Sequence, residues 1–156
     1  MQIVAKLELD DVEKILEKRG IGTGRKVQKF IDTECIDKMK PYTPNLNGVL
    51  SGSATACTVI GSGKIIQFTP YARYQYYGQL MVDPITLKGS FYDSKTGRHW
   101  SRPGVPKILD PEGRGLSYNV SKSPQAGPHW FERMAYDYRD AIGEGAADLA
   151  GGKFKK

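Results

Sequence analysis

The sequence predicts a single α+β domain with helices toward both ends, a β-hairpin in the middle and a long irregular loop. Three observations predict it. Apolar residues recur at helical spacing around residue 30 and again after residue 128. β-branched and apolar runs flank a glycine turn at residues 61–63, and prolines and glycines repeatedly interrupt residues 83–127. At 156 residues the chain suits one compact domain that buries roughly 70% of its unfolded surface.

Each element follows from its residues. In Gln2 to Leu9, Ile3, Ala5, Leu7 and Leu9 alternate with Gln2, Val4, Lys6 and Glu8, the period of a half-buried strand. Asp10 or Asp11 then caps a short helix in which Val12, Ile15 and Leu16 share a face, and Gly20 stops it. Gly20, Gly22 and Gly24 resemble a phosphate loop only superficially, since the four-residue gap and the Lys-Ser/Thr ending are absent. A stronger helix carries Val27, Phe30, Ile31, Ile36 and Met39, with Lys26, Lys29, Asp32 and Asp37 free to face water, and ends before Pro41.

Residues 41–53 read as a turn-rich connection, with Asn47-Gly48 as a tight turn. Ala54 to Ile60 and Lys64 to Thr69 read as the two strands of a hairpin closed by Gly61-Ser62-Gly63, and Pro70 ends the second. Tyr71, Tyr74, Tyr76 and Tyr77 then crowd into eight residues. The loop at about 83–127 shows no sustained period, yet it carries Phe91, Tyr92, His99, Trp100 and Tyr118. A solvating linker needs no such rings, so either this domain or a partner must cover them. Pro128 occupies a favourable first helical position, and Phe131, Ala135, Tyr138 and Ile142 continue the final helix. Gly143 and Gly145 weaken that helix, and residues 151–156 form a basic frayed tail.

Composition excludes several classes. Hydrophobic residues at 39% and charged residues at 26% rule out a wholly disordered, collagen-like or coiled-coil chain. No apolar run approaches the roughly 18 residues needed to cross a bilayer, and the first residues are too acidic for a signal peptide. Soluble synthesis in a cytosol and no membrane contact are therefore expected. Cys35 and Cys57 form neither a disulfide framework nor a zinc spacing, and are expected to be reduced and mostly packed.

The charge of +6 is unevenly spread. Residues 71–107 hold Arg73, Lys88, Lys95, Arg98, Arg102 and Lys107 against Asp83 and Asp93, which makes +4. That basic aromatic stretch suits stacking on single-stranded nucleic acid. Tyr, Trp and Arg are equally the residues of protein interfaces, and the charge lacks the density of a dedicated nucleic-acid stripe. An interface is the first expectation and a nucleic-acid-binding module the alternative.

No catalytic residue, metal site or cofactor is expected. His99 and His129 each precede a tryptophan outside any GxSxG, HExxH or CxxC motif, and so read as structural. Asp32, Glu34, Asp83 and Asp110 show no spacing that singles out an acid–base pair. The candidate interface residues are Tyr71, Arg73, Tyr74, Tyr76 and Tyr77 beside the hairpin, Phe91 and Tyr92 in the loop, and Trp100, Arg102 and Trp130 as anchors. For each of them packing within the chain is the competing role.

The segments PYTPNLNGVLSGSA, GSGKIIQFTPYARYQYYG, MVDP, HWSRPGVPK and SPQAGPHWFERM, in this order, resemble the minor capsid proteins of tailed bacteriophages with long flexible tails. More broadly the chain resembles their head-to-tail connector, or tail-completion, components, from about Val12 to Ala150. TPYARYQYYG and AGPHWFERM are the most specific parts. Asn47 to Ser53 matches the family's usual tGxLxxSa turn only loosely, which leaves the register of the first hairpin strand open. The resemblance implies a small twisted antiparallel β-sheet flanked by an early and a C-terminal helix. It also implies a non-enzymatic virion protein made in the bacterial cytoplasm, placed at the neck in a sixfold or twelvefold ring around the DNA channel. Its partners would be further copies of itself and neighbouring head-completion, tail-terminator or tail-tube proteins, with non-specific contact to genomic DNA in the channel.

Overall fold

A computed structural model describes residues 12–22 and 24–154. The expected strand at residues 2–9 lies outside the described residues. The chain is α+β: the described residues form five helices, and two antiparallel ribbons of two strands each in place of a single sheet.

Helix α1 spans Val12–Lys18 and stops at Gly20, whose φ of +68° suits glycine. Helix α2, Lys26–Met39, turns Ile36 and Met39 inward. Helix α3 covers Val49–Cys57, where a turn and the first strand of a hairpin were expected. Helical spacing decides it: Leu50 and Ala54 are one turn apart, and both are buried. Gly48 enters at φ +82°, and Asn47 Oδ1 accepts the Val49 N–H at 3.2 Å. Residues 58–69 accordingly form no hairpin. They wrap the core as an irregular segment, with the Ile66 N–H donating to Thr58 Oγ1 at 3.0 Å.

That segment is tied down by Asp32, which was expected at the surface and is only 2% exposed. Its Oδ2 accepts the N–H groups of Gly61 at 2.7 Å and Gly63 at 3.2 Å, while Gln28 Nε2 donates to Oδ1 at 2.7 Å. Gly61 and Gly63 adopt φ of +96° and +72°, which aims their amides at one carboxylate.

Helix α4, Ala72–Tyr77, follows, and α5, Trp130–Leu149, closes the chain. α5 starts two residues later than expected because His129 takes φ +49°. Its buried face is Trp130, Met134 and Ile142, so Phe131 turns outward. Gly145 lets α2 come close: a Cβ there would lie 2.5 Å from Phe30 Cζ. Among the described residues Ile36, Met39, Tyr42, Leu50, Ala54, Trp130, Met134 and Ile142 form the hydrophobic cluster. Cys35 and Cys57 are half-buried free thiols.

Between α4 and α5 the expected long loop contains a nested antiparallel arm. Strand β1, Met81–Val82, pairs with β4, Ile108–Leu109, and Gln79 bridges to Gly115 nearer the core. Inside that pair lie β2, Phe91–Asp93, and β3, Arg98–Trp100, in register Phe91↔Trp100 and Asp93↔Arg98. Val82 is the one fully buried hydrophobic side chain of the arm. Two-stranded ribbons are marginal alone, so polar contacts carry much of this arm's order.

Candidate functional site

The arm is organised by three aspartates. Asp83 Oδ1 accepts from Ile85 N at 3.0 Å, Thr86 N at 2.9 Å and Thr86 Oγ1 at 3.2 Å. Asp93 caps the β2–β3 turn, taking Lys95 N at 2.9 Å and Thr96 Oγ1 at 2.7 Å. Asp110 holds Arg114 through Nε and Nη2, each at 2.8 Å, and Arg114 Nη2 also reaches the Leu87 carbonyl at 2.9 Å. Lys107 Nζ donates to the Gly89 carbonyl.

All three carboxyls sit below the ordinary carboxylate value. The Arg114 side chain holds Asp110 down to about 2. Donation from the Thr86 amide lowers Asp83, and the Thr96 hydroxyl lowers Asp93. A depressed folded pKa contributes stability that is fully present above the unfolded value, near 3.8, and is lost as pH falls toward the folded one. The arm is therefore expected to loosen between about pH 4 and pH 2. Amide exchange of Met81, Val82, Ile108 and Leu109 across that range checks it; unchanged protection at pH 2 would contradict it.

With the aspartates turned onto the arm's own donors, its bases face outward. Lys88, Lys95 and Arg98 are exposed, as are Tyr92 at 62% and Trp100 at 48%. Trp100 stacks on Phe91 at 4.7 Å between centroids, and Tyr92 leans on His99 at 5.1 Å. Strand alternation puts Phe91, Arg98 and Trp100 on one face and Tyr92 and His99 on the other. His99 Nδ1 lies 3.0 Å from Ser90 Oγ.

Arg102 is engaged within the chain. Its Nε lies 3.4 Å from Asp83 Oδ2, and its guanidinium sits 5.7 Å from the Phe91 ring centre. Arg102→Ala is expected to red-shift Trp100 emission by freeing the Phe91–Trp100 stack, while helical circular dichroism stays unchanged. A matching loss of helix would contradict this local role.

The α4 cluster divides. Tyr76 turns inward, its ring edge-on to Trp130 at 4.8 Å and its hydroxyl donating to Glu132; burial first, then that carboxylate, raise its pKa. Trp130 is 2% exposed and donates from Nε1 to Gln67 Oε1 at 2.8 Å, so it is a core residue. Tyr71, Arg73 and Tyr77 are exposed and Tyr74 is half-buried. Tyr71 and Tyr74 line a groove of about 630 Å³ with Leu80, Met81, Lys107 and Leu116, where α4 meets the base of the arm. His129 packs against Tyr76 and Tyr77 at 5.3 and 5.7 Å.

The arrangement offers apolar rings and exposed cations for contact. Among the described residues no three His, Cys, Asp or Glu side chains gather as a metal site. No helix among the described residues is long and apolar enough to cross a membrane.

Neither a protein-family model, a curated protein nor a solved structure matches the chain.

Proposed function

We propose that this chain is a structural virion protein of a tailed bacteriophage, a minor capsid or neck component that helps join the head to the tail as part of a ring around the DNA channel. The observation that carries the reading is the arm at residues 79–116. It is ordered by polar turns, has one buried hydrophobic side chain and presents Tyr92 and Trp100 with Lys95 and Arg98 to solvent. Exposed rings and cations on a thinly supported ribbon suit a subunit whose surface is completed by neighbours. The segments quoted above carry the likeness to neck proteins.

Such a chain does no chemistry. Its work is the free energy of its contacts, with ordering of the arm on assembly setting part of the cost. Electron microscopy of a lysate from the phage with this gene disabled tests the role. Filled or emptied heads beside finished, unattached tails are expected; normal infectious virions would overturn it.

Nucleic-acid binding is the second reading, favoured by the same rings beside Lys95 and Arg98. The two exposed bases at the tip of the arm, Lys95 and Arg98, neutralise at most about two phosphates, so binding to DNA should be weak and fall with salt. Tight, sequence-selective binding at about 0.2 M salt would favour this reading over assembly.

A further inference from the structure

Helix α5 carries its charge against its own macrodipole. It carries Glu132, Asp137, Asp140, Glu144 and Asp148 against Arg133 and Arg139, which makes −3, and its last turn holds no base. Negative charge at a helix C-terminus opposes the macrodipole. Asp137, Asp140, Glu144 and Asp148 also succeed one another at spacings of 3, 4 and 4, so like charges share one face and repel. Asp137 accepts the Tyr42 hydroxyl and Asp140 lies 3.5 Å from Arg139, but Asp148 at the end of the stripe is exposed. Beside the stripe Tyr136 is 90% exposed. Local conflicts of this kind mark places that serve a contact.

The arm carries the complement: Arg98 shares a face with Trp100, Lys95 is exposed in the turn beyond, and Asp93, the acid opposite Arg98, is turned onto the Lys95 amide and the Thr96 hydroxyl. The two surfaces belong to separate parts of the chain: α5 packs along α2, while β2 and β3 pair with each other. Arm on arm would set base against base, and α5 on α5 acid against acid. From this complementarity we infer that the basic aromatic arm of one copy docks on the acidic face of α5 of the next, a heterologous head-to-tail contact. Contacts of that type generate rings when the rotation closes. The inference deepens the assembly role and rests on it for the expectation that copies meet.

Sedimentation velocity on the purified full chain tests it at about 0.01 M and about 1 M salt, where the Debye length is ~30 Å and ~3 Å. At about 0.1 mM protein and low salt, species larger than dimers are expected, dissociating at high salt. One variant, Lys95→Glu with Arg98→Glu, reverses the basic face, and a second, Asp140→Asn with Asp148→Asn, removes two of the four carboxylates of the acidic stripe. The first alone should be monomeric and the second should associate about tenfold more weakly or worse. Their equimolar mixture keeps one intact contact and should stop at a one-to-one dimer. The removal of negative charge at 148 favours the helix end, so unfolding does not account for its loss of association.

A wild-type chain that stays monomeric at low salt, a first variant that associates like wild type, or a mixture without dimer would overturn the inference. If copies fail to associate while the gene-disabled phage still accumulates unjoined heads and tails, the head-to-tail contact falls and the joining role stands.

Discussion

Trp130→Ala is expected to leave the chain without a cooperative native fold. Trp130 is the largest fully buried side chain and lies where α5, α4 and residues 64–69 meet. Its ring packs edge-on against Tyr76, and its N–H is spent on Gln67, which in turn donates from Nε2 to the Leu50 carbonyl at 3.3 Å. Truncating a buried tryptophan costs about 3–5 kcal/mol. A domain with so small a core belongs near the lower end of the usual 5–15 kcal/mol range. Trp130→Phe keeps part of the volume but strands the Gln67 acceptor, at about 1–2 kcal/mol. Urea unfolding followed by far-ultraviolet circular dichroism separates the two. An unchanged midpoint for the alanine variant would mean that this cluster is not the core.

Asp32→Ala is the second large effect, expected at about 3 kcal/mol. The substitution removes the only partner the structure gives the Gly61 and Gly63 amides, and leaves Gln28 Nε2 without its acceptor. Buried donors left unmatched cost more than the bonds are worth when made. Asp32→Asn retains an oxygen for the two glycines, and a turned Gln28 amide can accept from its NH₂, so about 1 kcal/mol is expected. In urea the alanine change lowers the midpoint by about 2 M. Equal midpoints for the two variants would contradict the role of the carboxylate oxygens.

How much of this was legible follows from where the information sits. α2 and α5 were legible because Ile36 with Met39, and Tyr138 with Ile142, repeat at helical spacing and meet the core. The face of α5 was read one residue late, from Phe131, because Pro128 was taken as the first helical position and His129 instead turns the chain before Trp130. α3 was misread since Thr58, Val59 and Ile60 suggest a strand, while the Leu50–Ala54 pair is short and hidden among Ser and Gly. Asp32 offers no local sign, because its partners lie 29 and 31 residues away.

The arm was legible only as something that needed cover. Its strands are two or three residues long, too short for any period, and its outermost bridge joins Gln79 to Gly115. The candidate rings were found as a group, but their fates depend on three-dimensional facts. α4 rotates Tyr76 inward and leaves Tyr77 outside, and the register of β2 with β3 sets Trp100 on Phe91. The acidic stripe of α5 was present in the sequence, but its meaning depends on which face Trp130, Met134 and Ile142 bury.

The central claim is that the arm meets a neighbour in an assembled particle. Amide hydrogen exchange over Phe91–Trp100, measured in the free chain and in purified virions, tests it most directly. Rapid exchange in the free chain and strong protection in the virion are the expected result. Equal protection in both would mean that the arm is a self-sufficient part of the fold and that no partner covers it.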